Sequence, residues 1–402
     1  MAEKLKTGLI LTGGGARAAY QVGVLQAISD ILYDNGWVPE RNPFDIICGT
    51  SAGAINATAL ACCSDQFDEG IGHLLKVWNG LSVEQVYRAD SLGVMRSGAK
   101  WLSLLSFGWV LRKWHASPPN ALLDNTPLIT LLHRTLDLPR LDAALRDGHL
   151  HALAVTASSY TAGDHVTFYQ SVDGIAPWQR TQRRSVRDQI GVDHLLASAA
   201  IPFIFPSMPL YCEGRQEYFG DGSMRQLAPI SPAIHLGADK VVVIGSGRLS
   251  EPPQHRCVAG QYPTLAQIAG HAMSSIFLDS LAADIETLDR TNRTVSVLNE
   301  EQQRTLGLRR IDMLSISPSE RLDDIAMQHV GDLPAPIRAL LSGIGATETR
   351  GSALASYLLF QASYTRELIA LGNKDGHLRR NDVLRFFGCP VMSTAEESAT
   401  TG

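Results

Sequence analysis

The segment from Phe44 to Ala61 restricts the fold more than any other part of the chain. A short apolar run, Phe44-Asp45-Ile46-Ile47-Cys48, passes through Gly49-Thr50-Ser51-Ala52-Gly53 directly into small helix-forming residues. A Gly-x-Ser-x-Gly pattern at a strand-to-helix corner has a physical meaning that the bare pattern lacks. The corner crowds the backbone, so Gly49 and Gly53 remove side chains that would clash. Ser51 is lifted off the sheet edge to the positive end of the following helix, where developing negative charge is stabilised. Taken alone, the same residues equally describe a small-residue turn that joins a strand to a tightly packed helix.

Strand and helix signals alternate around this corner. Leu9-Ile10-Leu11, Leu153-Ala154-Val155, Val166-Thr167-Phe168-Tyr169 and Val241-Val242-Val243-Ile244 read as strands, the last apolar throughout as in a strand buried on both faces. Val22, Leu25, Ile28 and Leu32 repeat at helical spacing. The pattern predicts an α/β fold with a mostly parallel central sheet over residues 7–250. Beyond Pro252-Pro253 the character changes. Met273, Phe277, Leu281, Ile285 and Leu288 share one helix face, and so do Tyr357, Tyr364, Leu368 and Leu371. Residues 255–392 are therefore expected to form a helical extension, and 393–402 a disordered tail.

Composition narrows the function. The formal net charge is -5 with no dense Lys/Arg block, which argues against nucleic acid as a partner. The 6 cysteines form no Cys-x-x-Cys pair, and the histidines show no ligand spacing, so reduced thiols and no metal are expected. Lys4 and Lys6 precede an apolar stretch too short for a signal peptide, and no run has the length of a membrane span. A soluble, cytoplasmic protein with no cofactor follows, any membrane contact being peripheral. The oligomeric state is not legible.

A second glycine-rich corner, Gly13-Gly14-Gly15-Ala16-Arg17-Ala18, also joins a strand to a helix. Consecutive glycines let backbone amides turn toward an anion. Gly13-x-Gly15-x-x-Ala18 fits a dinucleotide fingerprint too, but the next strand ends in Cys48-Gly49 and not in the acidic residue that reading needs. Arg17 is either an electrostatic neighbour of the bound oxyanion or a solvated residue at the helix start. Asp221, between Gly220 and Gly222, is a candidate base for Ser51, or an ordinary Asp-Gly turn. The alternative is a Ser–Asp–His triad esterase, with His194, His235 and His271 as the later histidines. An inactive lipid-binding scaffold is a third reading.

In order along the chain, these elements resemble the patatin-like phospholipases. The stretches that carry the resemblance are Thr12 to Tyr20, Gly49 to Ala57, Ala197-Ser198-Ala199-Ala200-Ile201-Pro202-Phe203-Ile204-Phe205-Pro206, and Asp221-Gly222. The resemblance implies a three-layer patatin-like fold, Ser51 as nucleophile, Asp221 as base and the amides of Gly13, Gly14 and Gly15 as oxyanion hole. It implies hydrolysis of fatty acyl esters of phospholipids, lysophospholipids or simpler lipids through an acyl-serine, without a metal. Two positions depart from the family's habit: Ala18, where glycine is frequent, and Ser223, where glycine or alanine is frequent.

Residues 91–119 interrupt the α/β rhythm with Trp101, Phe107, Trp109 and Trp114 flanked by Lys100, Arg112 and Lys113. Tryptophan and basic residues beside an apolar stripe suit a lipid interface, and equally a helix packed on the core or in a dimer.

Overall fold

A computed structural model describes residues 5–38, 41–89, 121–172, 174–248, 264–343, 345–346 and 352–390. The insert with Trp101, Phe107 and Trp109, the Pro252-Pro253 linker and the tail lie outside the described residues.

The strands form one mixed sheet. In chain order they are β1 (Thr7–Leu11), β2 (Ile46–Thr50), β3 (Ala152–Ser159), β4 (His165–Ser171), β5 (Gln179–Arg180), β6 (Arg183–Arg187), β7 (Met208–Cys212), β8 (Arg215–Asp221), β9 (Lys240–Ile244) and β10 (Asp312–Ile316). Their spatial order is β10-β9-β1-β2-β3-β4-β6-β5, with β8 on β3 and β7 on β8. Pairs from β10 through to β3 are parallel. Helices cover both faces there, which is why Leu9-Ile10-Leu11 is apolar without a break and β1 is buried throughout.

Alternation along the strands sorts side chains into two cores. Leu9, Leu11, Leu153, Val155 and Phe168 face the larger one, under helices α1 (Ala19–Tyr33), α2 (Ala52–Cys62) and α3 (Phe67–Asn79). Ile10, Cys48, Ala154 and Tyr169 face the smaller one, under the short α4 (Ser231–His235) and the long α5 (Ser280–Ser296). The result is the three-layer arrangement expected from the sequence.

The C-terminal helices are joined to this core at three places. First, β10 pairs with β9 in parallel, Leu314 opposite Val242, and so extends the sheet. This strand, Asp-Met-Leu-Ser-Ile, was not foreseen within a stretch read as wholly helical. Second, α8 (Ala362–Leu378) lies across α1 so closely that a Cβ on Gly372 would overlap the Tyr20 backbone, and Tyr20 Oη donates to Asp375 Oδ2 at 3.0 Å. Third, helices α6 (Leu322–His329) and α7 (Ser352–Leu358) meet the glycine loop after β1. Tyr357 belongs to α7 and Tyr364 to α8, so the stripe read as one helix face is split between two helices by the break at 359–361. Among the described residues no helix is long and apolar enough to cross a membrane.

Candidate active site

β3 acts as a ruler that brings two distant segments together. β2 pairs along it up to Thr50 opposite Thr156, and there the chain leaves the sheet at Ser51. β4 holds the other edge of β3 as far as Ser158. The edge vacated by β2 is taken up by β8, with Asp221 opposite Ala157. Ser51 and Asp221 therefore flank consecutive positions of one strand, and Ser51 Oγ donates to Asp221 Oδ2 at 2.6 Å.

The corner itself is strained. Ser51 sits at φ 55°, ψ -131°, a conformation that a residue with a side chain adopts only when its surroundings dictate it. What dictates it is packing. A Cβ on Gly53 would stand 2.5 Å from the Thr12 carbonyl oxygen, and one on Gly49 would stand 2.5 Å from Ala54 Cα. Gly222 has the Thr156 backbone in the same place. The Ser51 amide donates to Ser198 Oγ at 2.8 Å, which fixes the corner from the side.

Asp221 is fully buried. Its other oxygen, Oδ1, accepts from the Ser223 amide at 2.8 Å. Burial pushes its carboxyl up to about 6, against the pull of the Ser51 and Ser223 hydrogen bonds, which favour the charged form. A carboxylate with its affinity for protons raised in this way is a better base toward a hydroxyl than a solvated one.

Gly13, Gly14 and Gly15 run from the end of β1 to the turn of helix before α1, and Gly15 lines the same cavity as Ser51. Gly15 has φ +55° and rests against the Tyr357 backbone of α7. Among the described residues no acceptor is bonded to the amides of these three glycines, whereas the Gly13 carbonyl accepts from Ser246 Oγ. Gln21 and Asn56 lock the loop to the serine helix. Gln21 Nε2 donates to the Thr12 carbonyl at 2.8 Å, and Asn56 Nδ2 donates to Gln21 Oε1 and to the Ala18 carbonyl, each at 3.1 Å.

Arg17 is not a solvated helix-start residue, since it is 3% exposed. Its Nε donates to Ser356 Oγ at 2.8 Å, its Nη2 pairs with Asp323, and its guanidinium lies 3.9 Å from the Tyr357 ring centroid. All these partners belong to α6 and α7.

The histidines stand elsewhere. His194 is bonded to the Gly191 amide and faces Asp188 at 3.5 Å, His235 packs on Trp178, and His271 is exposed. Among the described residues none reaches the Ser51 hydroxyl, and no group of three or more His, Cys, Asp or Glu could hold a metal.

Two parts of the site escaped sequence reasoning. Ser198 stood in a segment recognised by resemblance, but nothing in its neighbours marked it as a partner of Ser51. The second is a cavity that opens from Ser51, Ala52 and Gly15 and runs between α2, α3 and the helix Thr126–Thr135. Ile55, Ala59, Trp78, Leu131, Leu132 and Phe360 line it. These positions come from three separate helices and a loop, and no local pattern links them.

The Patatin-like phospholipase family model matches residues 9–234, more than half of the 402 residues, and the chain belongs to that family. No curated protein matches it. Among solved structures it is similar to VipD from Legionella pneumophila, at 16% identity and a TM-score of 0.33, over 92% of this chain and 67% of that one. It is also similar to human GIVD cytosolic phospholipase A2, at 12% identity and a TM-score of 0.43, over 96% of this chain and 62% of that one. The same human protein in complex with methyl gamma-linolenyl fluorophosphonate gives 13% identity and a TM-score of 0.42, over 96% and 59%. The chain thus spans about three-fifths of the length of the human chains.

Proposed function

We propose that this protein hydrolyses fatty acyl esters of phospholipids, lysophospholipids or related lipids by a Ser51–Asp221 dyad. The observation that carries the reading is the 2.6 Å hydrogen bond from Ser51 Oγ to a buried carboxylate at the mouth of an apolar cavity. As Ser51 Oγ attacks the ester carbonyl carbon, its proton passes to Asp221 Oδ2. The carbonyl oxygen becomes an oxyanion, which in this reading the amides of Gly13, Gly14 and Gly15 receive. One such donor is typically worth about 3 kcal/mol in the transition state. Collapse of the intermediate breaks the ester C–O bond, and Asp221 returns the proton to the leaving alcohol. Water then attacks the acyl-Ser51 ester, with Asp221 again taking and returning one proton, and releases the fatty acid.

The apolar walls of the cavity suit an aliphatic chain, because each buried methylene gains about 0.8 kcal/mol. Arg17 acts in this reading as a positioning residue, tying the glycine loop to α6 and α7.

The test is release of p-nitrophenol from medium-chain acyl esters, followed by fatty acid release from phospholipid vesicles. Ser51→Ala and Asp221→Asn should each lose about four to six orders of magnitude in turnover. Survival of Asp221→Asn would remove the dyad. A wild type inactive on every acyl ester would leave a lipid-binding scaffold.

A further inference from the structure

A small cleft lies on the smaller-core face of the sheet, away from the acyl cavity, lined by His165, Thr167, Trp178, Arg180, Arg183 and Ser231. Its composition is unusual: two guanidinium groups, two hydroxyls and no carboxylate.

The arginines are placed by strand register. β5 and β6 pair antiparallel with Arg180 directly opposite Arg183, which sets two like charges on facing positions. Such a pair is destabilising unless something of opposite charge lies between or beside it. The adjacent Arg184 shows how the fold satisfies an arginine here. It projects to the other side and bonds Asp164, Glu213 and Glu217 at 2.7, 2.9 and 2.8 Å. Among the described residues neither Arg180 nor Arg183 has any ion-pair partner, and the buried Nε of Arg183 has no acceptor at all. A buried guanidinium nitrogen without an acceptor carries a desolvation cost that a bound anion would remove.

The hydroxyls of Thr167 and Ser231, which line the same cleft, are likewise without hydrogen-bond partners among the described residues. Asp284, on α5, interacts electrostatically with Arg183 but forms no ion pair with it, and its Oδ2 accepts from the Ile230 amide at 2.9 Å. The cleft adjoins the catalytic turn, because the buried His165 donates through Nε2 to the Gly222 carbonyl at 3.1 Å.

We infer that this cleft is an anion-binding site for a phosphate group, gripped by the Arg180 and Arg183 guanidiniums with Thr167 and Ser231 completing its donor set. Two guanidiniums favour a phosphate monoester or free phosphate over a singly charged diester. The site is separate from the Ser51 cavity, so it takes a second molecule and not the ester under attack.

The experiment is calorimetric titration of the full chain with inorganic phosphate, against chloride at matched ionic strength. In parallel, sedimentation is measured with phosphatidylcholine vesicles with and without phosphatidic acid. Arg180→Gln and Arg183→Gln should each weaken phosphate binding about ten- to a hundredfold. Arg180 is exposed, so its variant keeps the test open if Arg183→Gln fails to fold. Binding of free phosphate marks a soluble ligand. Binding seen only on vesicles with phosphatidic acid, and lost in Arg180→Gln, marks a lipid headgroup. If the wild type binds neither, or the double variant binds both as well as the wild type does, the cleft is not a phosphate site. None of these readouts depends on ester hydrolysis.

Discussion

Arg17 and Asp323 form an ion pair across 306 positions of sequence, the guanidinium just past the glycine run and the carboxylate on α6. The pair ties the C-terminal helices to the glycine loop, because the segment it holds carries the Gly15 amide. Tyr357 covers the same segment from above, with its ring on the guanidinium and its backbone against Gly15.

Asp323→Asn leaves the Arg17 charge buried without its counter-ion. Breaking one side of a buried pair costs about 3 kcal/mol. Denaturant unfolding should show a loss of that order, and kcat should fall while KM changes little, since the acyl cavity is untouched. An unchanged kcat in a fully folded variant would separate the pair from catalysis.

Hydrolysis should depend on a group that must be deprotonated. Burial pushes the Asp221 carboxyl up to about 6, so kcat/KM should climb tenfold per pH unit below that value and level off above it. A pH–rate profile on a soluble ester reads this directly. A profile flat down to pH 4 would mean that Asp221 is not the base.

The same shift has a cost in stability, with a definite sign. Between the ordinary aspartate value and about 6, the folded protein holds a proton that the unfolded chain has already released. Stability therefore falls as pH rises through that window, and above it the loss is complete. A rise from the ordinary aspartate value to about 6 corresponds to about 3 kcal/mol. Asp221→Asn should unfold at higher denaturant than wild type at pH 7, and the gap should close as the pH is lowered toward 4.

Ala59 lies on α2, two turns beyond Ser51, and faces the apolar cavity. Ala59→Phe would fill the cavity partway along. Activity on long acyl esters should drop at least about tenfold while activity on short ones is kept, because displaced methylenes each forfeit about 0.8 kcal/mol. A series of p-nitrophenyl esters of increasing chain length checks this. An equal loss at every length would mean that the chain does not run past Ala59.

The parts of this protein that were legible in its sequence are those built from consecutive residues. Gly49 to Gly53 and Gly13 to Arg17 announced two strand-to-helix corners, because steric crowding at a corner acts between neighbours. The apolar runs at Leu9 and Val241 announced central strands, because burial on both faces leaves no polar position. Tertiary structure decided everything that depends on who meets whom. Asp221 is one Asp-Gly among many possible turns until β8 takes over the edge of β3 that β2 leaves, and only then does it reach Ser51. Ser198, Arg17 and the cavity wall from Ile55 to Phe360 gain their roles the same way, through neighbours far off in the chain. β10 shows the limit from the other side. Five residues of mixed polarity become a strand because β9 offers an open parallel edge, a condition that no local pattern records.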